Sequence, residues 1–333
     1  MWKTIVRRLL IMIPQLLALS FFIFLLADVM PGDALRGLVG PDTPPAVMER
    51  LREHHGLDDP WPVQYGRWMR SLVIERDFGN SITHNLPVLD MVGFRMANTI
   101  RLSALTTLFL YALAIPLGIL AGRKHGKAID KAIMLYTFVA LSMPTIVLAL
   151  INLLLFGFGR DITIGNFIIN FGVFPTHGSI DPLAAAAGGA SAFFSRIHHL
   201  ILPALTAAVL GTVGIIYFLR SEIIDYETSD FVTTARSKGV PEKKIYTGHI
   251  LRNASLPIAG SLGGVVTGLF GGSIFIELIF SYPGMGQLFV QSIQSRDFPV
   301  VNMLVMFYAF LSVISMLISD IIITIVDPRI RIK

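Results

Sequence analysis

Asp230-Phe231-Val232-Thr233-Thr234-Ala235-Arg236-Ser237-Lys238-Gly239-Val240-Pro241-Glu242 is a polar island in a chain built mostly of apolar runs. It reads as a short helix with a stop. Asp225, Glu227 and Asp230 place acids near the start of that helix, and Arg236 and Lys238 place bases at its end, which suits the helix dipole. Gly239 follows at the position where a C′ residue takes positive φ. Pro241 and Glu242 suit the first turn of a second helix reaching about Asn253. A glycine-ended helix exposed between membrane spans is either a docking element for a soluble partner or a connector lying on the membrane surface. The residues alone leave both open.

Outward from this loop the chain turns apolar. Only 15% of its 333 residues are charged and mean hydropathy is +0.67, against about 25% charged in soluble domains. A span needs about 20 apolar residues to cross a ~30 Å hydrocarbon core. Six stretches qualify, at 9–27, 102–121, 132–157, 201–219, 258–280 and 303–326. The first is longer than a signal-peptide core and no small-residue cleavage site follows, so it reads as a retained helix. The expected fold is an all-α polytopic membrane protein with six transmembrane helices.

The lysines and arginines orient it. With residues 1–8, 122–131, 220–257 and 327–333 inside, those segments hold 16 basic and 7 acidic residues, including all eight lysines. The outer segments 28–101, 158–200 and 281–302 hold 11 basic and 13 acidic residues. The positive-inside rule then places both termini in the cytoplasm. The net charge of +5 is thus a topology signal and not a nucleic-acid footprint. In the long first outer segment, Val47 to His55 suggests a short amphipathic helix, and Asp58-Asp59-Pro60-Trp61-Pro62 a turn-rich break. The second outer segment carries a stretch that reads as flexible, Ala184 to Gly189.

Several classes of chemistry are excluded. There is no cysteine, and the paired histidines His54-His55 and His198-His199 are adjacent and diverge on a helix, so no metal site is expected. Gly126-Lys127 is followed by Ala128, without a phosphate loop around it, so the chain should not hydrolyse ATP itself. No catalytic constellation for an intramembrane enzyme is present. A self-sufficient secondary transporter would call for internal repeats and ionisable residues at the midplane, and neither is evident.

Order and spacing of short motifs supply more. The loop, followed by His249-Ile250-Leu251-Arg252-Asn253-Ala254-Ser255-Leu256-Pro257, resembles the EAA loop of ABC importer permeases, and within them the oligopeptide/dipeptide branch. Pro31-Gly32-Asp33, Gly56-Leu57-Asp58 with Pro62-Val63-Gln64-Tyr65, Asp77-Phe78-Gly79-Asn80-Ser81, Phe280-Ser281-Tyr282-Pro283-Gly284-Met285-Gly286, Arg296-Asp297-Phe298-Pro299-Val300 and Asp327-Pro328-Arg329-Ile330-Arg331 extend the resemblance over nearly the whole chain. It implies a type I permease fold in a bacterial or archaeal cytoplasmic membrane. The implied partners are a homologous second permease, two cytoplasmic ATPases that bind the ATP and magnesium, an extracytoplasmic solute-binding protein and membrane lipid. A peptide is the implied substrate, with nickel, glutathione or oligosaccharides as alternatives in similar permeases. Asp230, Thr233, Thr234, Ala235, Arg236, Lys238 and Gly239 become the ATPase-coupling residues. One departure stands out: Thr233 occupies the position of the pattern's glutamate, which in the wider family is expected to pair with a basic residue of the ATPase.

Polar groups inside the spans are candidates for function. Glu277, near the outer end of the fifth span, either lines a pathway or caps the turn at 281–284. Ser142, Thr145, Asn152, Thr267 and Ser273 either face a pathway or bond to neighbouring helices. Pro116 and Pro144 are candidate kinks in the second and third spans. The stripe Gly260-x-x-x-Gly264-x-x-x-Gly268-x-x-x-Gly272 is expected to be a close-packing or gating face.

Overall fold

The computed structural model describes residues 2–29, 59–158, 161–164, 167–170, 173–255 and 274–326, with isolated positions at 44, 46, 47, 49, 50, 258 and 265. Most of the candidate helix at 47–55, the glycine stripe of the fifth span, Thr267, Ser273, Leu256-Pro257 and residues 327–333 lie outside these. Two compact units form, one of Met1–Ala97 and Gln287–Ile314, the other of Asn98–Gly286 and Ser315–Lys333.

Among the described residues three helices are long and apolar enough to cross a membrane: α3 (Val88–Arg123), α7 (Gly189–Glu227) and α12 (Phe298–Val326, through Ile322). The helix α1 (Trp2–Val29) carries a shorter apolar stretch, Leu10–Leu25. The third span is bent at Pro144, one of the two candidate kinks. α4 (Ala128–Ser142) and α5 (Thr145–Asn152, continued by a π-helical turn Leu153–Gly157) meet at a bend of 104°. A residue before proline is pushed out of the α region, and Met143 is extended at φ −93°, ψ 119°. At 1.5 Å per residue neither half reaches ~30 Å alone. Pro116, by contrast, sits inside the continuous α3.

The expectation of helices alone missed a two-stranded antiparallel hairpin, β1 (Asp161–Ile164) with β2 (Phe167–Asn170), in register Ile164↔Phe167 through Asp161↔Asn170. The Ala184–Gly189 stretch is no flexible connector either. It is helical through Ala187 in α6 (Pro182–Ala187), because the Asp181 side chain accepts from the N–H groups of Leu183 and Ala184. Likewise Trp61-Pro62, expected in a break, opens the helix α2 (Trp61–Arg70), with proline in its first turn.

In the first unit, Phe21 and Phe24 of α1 pack on Trp61, Tyr65 and Trp68 of α2 with centroids 5.5–6.0 Å apart, and the hydroxyls of Ser20 and Tyr65 are bonded at 2.7 Å. Two motifs distant in sequence meet here. Buried Asp297 accepts from the hydroxyl of Ser81 and from the N–H groups of Ile82 at 3.1 Å and Thr83 at 3.3 Å. In the second unit, α3 and α7 approach closely at Gly118 and Gly122. A Cβ at either would lie 2.7–2.8 Å from Leu219 or Ile223, so the absence of side chains there sets the helix separation.

Candidate functional site

The loop after α7 is largely helical. α7 runs on through Asp225 and Glu227 before Thr228 and Ser229 break the chain. Those two acids therefore end the preceding helix and do not open the next, because helix propagation past the apolar run costs little once the span has nucleated it. Asp230 opens α8 (Asp230–Ser237). The stop is at the glycine named from sequence. Gly239 has φ +71°, its N–H donates to the carbonyl of Arg236 at 3.0 Å, and the N–H of Val240 donates to Ala235 at 3.1 Å. These two bonds make a Schellman cap, with Val240 also packing in the apolar layer that holds Ala235.

Pro241 is the residue before α9 (Glu242–Lys244), which passes through a π-helical turn (Ile245–Ile250) into α10 (Leu251–Ala254). Under α8, Val232 and Ala235 pack with Leu219, Ile223, Ile245, Tyr246 and Ile250. Phe231, Thr233, Thr234, Arg236, Ser237 and Lys238 are exposed. Of the residues named from sequence, Asp230, Thr233, Thr234, Ala235 and Arg236 lie in this short helix and Lys238 and Gly239 end it; Ala235 is on the buried side and the others are exposed.

Glu227, read from sequence only as an acid near the helix start, joins Tyr246 in fastening this loop, and Asp130 and Arg220, which sequence reading left without a role, fasten the helix ends beside it. Glu227 Oε1 accepts the phenol proton of Tyr246 at 2.6 Å and a guanidinium proton of Arg236 at 3.4 Å. Burial, followed by this bond, pushes the Tyr246 phenol up to about 12. At the other end of α4, Asp130 is 2% exposed. It takes Nε of Arg220 at 2.6 Å, Nη2 of Arg220 at 2.8 Å and the N–H of Gly126 at 2.8 Å. The Arg220 hydrogen bonds hold its carboxyl below the usual range against the opposing effect of burial. An acid in an otherwise basic inside segment, Asp130 among Arg123, Lys124, Lys127 and Lys131, was the available signal.

Glu277, in the short helix α11 (Ile274–Ile279), is fully buried. Its contacts are with Thr99 of α3 and with the turn at 281–286. Its carboxylate accepts from the Thr99 hydroxyl at 2.9 Å, Thr99 Oγ1 accepts the N–H of Met285 at 2.8 Å, and the Tyr282 N–H donates to the Glu277 carbonyl at 2.8 Å. Asn98 Nδ2 donates to the Pro283 carbonyl at 3.0 Å. A Cβ at Gly284 would overlap the carboxylate, so the Pro-Gly turn is cut to fit it. Asn152 donates to Thr206 on α7 at 3.0 Å, a helix–helix bond. Ser142, exposed, and Thr145, half-buried, flank the 104° bend, and Ser142 Oγ donates to the Phe138 carbonyl at 2.8 Å.

Bilayer-length apolar helices joined by polar loops, one of them carrying the glycine-capped α8, define a polytopic membrane protein. The chain belongs to the binding-protein-dependent transport system inner membrane component family, which matches residues 114–332, and the N-terminal domain of such membrane components matches residues 1–113. It is a permease component of an ABC importer. It is 36% identical over 328 residues to the oligopeptide transport system permease protein AppB of Bacillus subtilis, covering 98% of each chain. It is 33% identical over 331 residues to a putative peptide transport system permease protein of Brucella abortus, covering 99% of each. Over all 333 residues it is 29% identical to the glutathione transport system permease protein GsiC of Salmonella paratyphi A, covering the whole of both. Among solved structures, the MetNI methionine ABC transporter in inward-facing conformations is similar at a TM-score of 0.48 and 14% identity, over 72% of this chain and 97% of that one.

Proposed function

We propose that this chain forms half of the translocation pathway of a peptide importer, with six spans and both termini in the cytoplasm. A second permease, two ATPases and an extracytoplasmic solute-binding protein complete the assembly. Full-length likeness to peptide permeases supports the substrate class. The bias of all eight lysines to one set of segments supports the orientation.

Energy enters at α8. The observation that carries this is the Schellman cap at Gly239, which ends a helix whose outer face is polar and whose inner face is packed on α7 and the 245–250 turn. ATP-driven closure of the ATPases moves α8 as a packed unit, and the spans switch between inward- and outward-facing arrangements. Ser142 and Thr145, at the bend of the third span, are the pathway residues we favour, and Thr267 and Ser273 remain candidates. Glu277 and Asn152 serve helix and turn packing.

Gly239→Val is the test. A β-branched residue at φ +71° is strained although nothing lies within 4 Å of its Cβ position, at about 1–2 kcal/mol. Membrane insertion should be normal and uptake of a labelled peptide should fall at least about tenfold, the factor that ~1.4 kcal/mol represents. Normal uptake by a normally inserted variant would remove the coupling assignment.

A further inference from the structure

Arg236 stands at the end of α8, where a soluble partner would be expected to read its charge, yet its guanidinium is engaged within the chain. Nε donates to Glu242 Oε1 at 2.9 Å, and Nη2 to Glu227 Oε1 at 3.4 Å. That same Glu227 oxygen takes the Tyr246 phenol proton at 2.6 Å. Tyr246 is 4% exposed, and the Arg123 guanidinium lies over its ring, 5.5 Å from the centroid. Glu227 is the last residue of α7, Arg236 belongs to α8, Tyr246 to the π-helical turn and Arg123 to the end of α3. One carboxylate oxygen therefore joins the segments on both sides of the Gly239 break.

Apolar packing through Val232 and Ala235 is non-directional and lets a two-turn helix roll on its support. A charge-assisted hydrogen bond has a direction and fixes the roll. We propose that Glu227 is a positioning residue of the transport cycle: it locks the coupling helix in register with α7, so that displacement of α8 is delivered to α7 and, through Tyr246 and Arg123, to the end of α3. Thr233 stands where the wider pattern has glutamate; here the orienting acid sits inside the chain, at Glu227. This inference rests on the coupling role proposed for α8.

The experiment uses the full complex in proteoliposomes, with a solute-binding protein and a labelled peptide that it retains. Transport and ATP hydrolysis are measured on the same vesicles, and the readout is peptide moved per ATP. Glu227→Ala removes the acceptor and should lower that ratio about tenfold, the scale of one charge-assisted hydrogen bond. Glu227→Gln keeps an oxygen that both donors reach and should stay within about threefold of the parent. Tyr246→Phe removes one donor with packing intact and should fall between the two, which keeps the test decisive if Glu227→Ala does not assemble. The chain has no cysteine, so a spin label at Ser237→Cys reports the motion of α8 alone, and Glu227→Ala should increase it. An unchanged ratio in Glu227→Ala beside a collapsed one in Gly239→Val would overturn the positioning role and leave the coupling role standing. A lowered ratio without increased label mobility would also overturn it. Normal ratios in both variants would overturn the coupling reading itself, and this inference with it.

Discussion

Asp130 and Glu277 are both acidic and both buried, at 2% and 0% exposure, yet they are held in different ways. Asp130 sits in the fork of Arg220, which contacts both carboxylate oxygens, and takes the Gly126 N–H as well. Glu277 takes the Thr99 hydroxyl and lies in a niche shaped by the missing side chains of Gly284 and Gly286. The first is fastened by a charged partner; the contacts described at the second are a close fit and a neutral hydroxyl donor. A buried ion pair adds little net stability when complete but is very costly when half of it is removed. A fitted carboxylate is instead sensitive to volume. The two regions should therefore fail under different substitutions.

The largest effect is expected from Arg220→Met. It leaves Asp130 buried without its cation, at a cost of about 3–5 kcal/mol, whereas Asp130→Leu with Arg220→Met should recover most of that loss. Thermal unfolding of the purified chain followed by tryptophan fluorescence measures both. Acid repeats the deletion without mutation. Because Arg220 depresses the folded-state carboxyl of Asp130, its contribution is complete above about pH 4, the unfolded value, and is lost as pH falls through the depressed value. The advantage of the parent over Arg220→Met should be full at neutral pH, shrink as the variant's uncompensated buried carboxyl takes up its proton, and vanish only below the depressed value of the parent.

Next is Gly284→Ala, which attacks shape alone. Gly284 is not among the residues with positive φ, so its substitution carries no backbone penalty of that kind, but its Cβ meets the Glu277 carboxylate. Overpacking of this sort costs about 1–3 kcal/mol. The loss should be much smaller in a Glu277→Ala background, where the space is free, and a double-mutant cycle of unfolding midpoints reads the difference. Equal losses in both backgrounds would place the strain elsewhere and break the contrast with Asp130. Gly239 is the complement: open space around it, and a left-handed φ.

How much of this was legible differs by residue. Gly239 and the polarity of α8 followed from local rules of helix ending, which act within a few residues and need no tertiary knowledge. Glu277 and the 281–286 turn were legible as neighbours, since an acid within an apolar run beside Pro-Gly must find partners nearby. Thr99, which answers it from α3, was not, because it lies 178 positions away. Pro116 and Pro144 read alike in sequence and behave oppositely, as α3 passes through the first unbroken while Met143 is extended before the second. Gly118-x-x-x-Gly122, where α3 and α7 approach closely, has the same spacing as the longer glycine stripe of the fifth span, and spacing alone does not say which helix a stripe meets. The hairpin did have a signal, two β-branched runs separated by Gly165-Asn166, and it was masked by the expectation of helices throughout.

Glu277→Gln is the finest test of the comparison and the smallest expected effect. Glutamine has the same shape, so Gly284 and Gly286 still accommodate it. Its amide oxygen still accepts from Thr99, and only the charge is gone. If shape and neutral donation hold this site, the cost should be about 1 kcal/mol or less, the value of weakening one hydrogen bond. Asp130→Asn, the same chemical change at the other site, leaves the partly buried guanidinium of Arg220 facing an amide and should cost several-fold more, toward the range for broken buried pairs of about 3–5 kcal/mol. Unfolding midpoints of the two variants on one scale decide it. Equal and large losses would mean that the ionised form of Glu277 is itself required. The buried acid beside the Pro-Gly turn would then be an electrostatic element like Asp130, and the division between charge and shape would not hold.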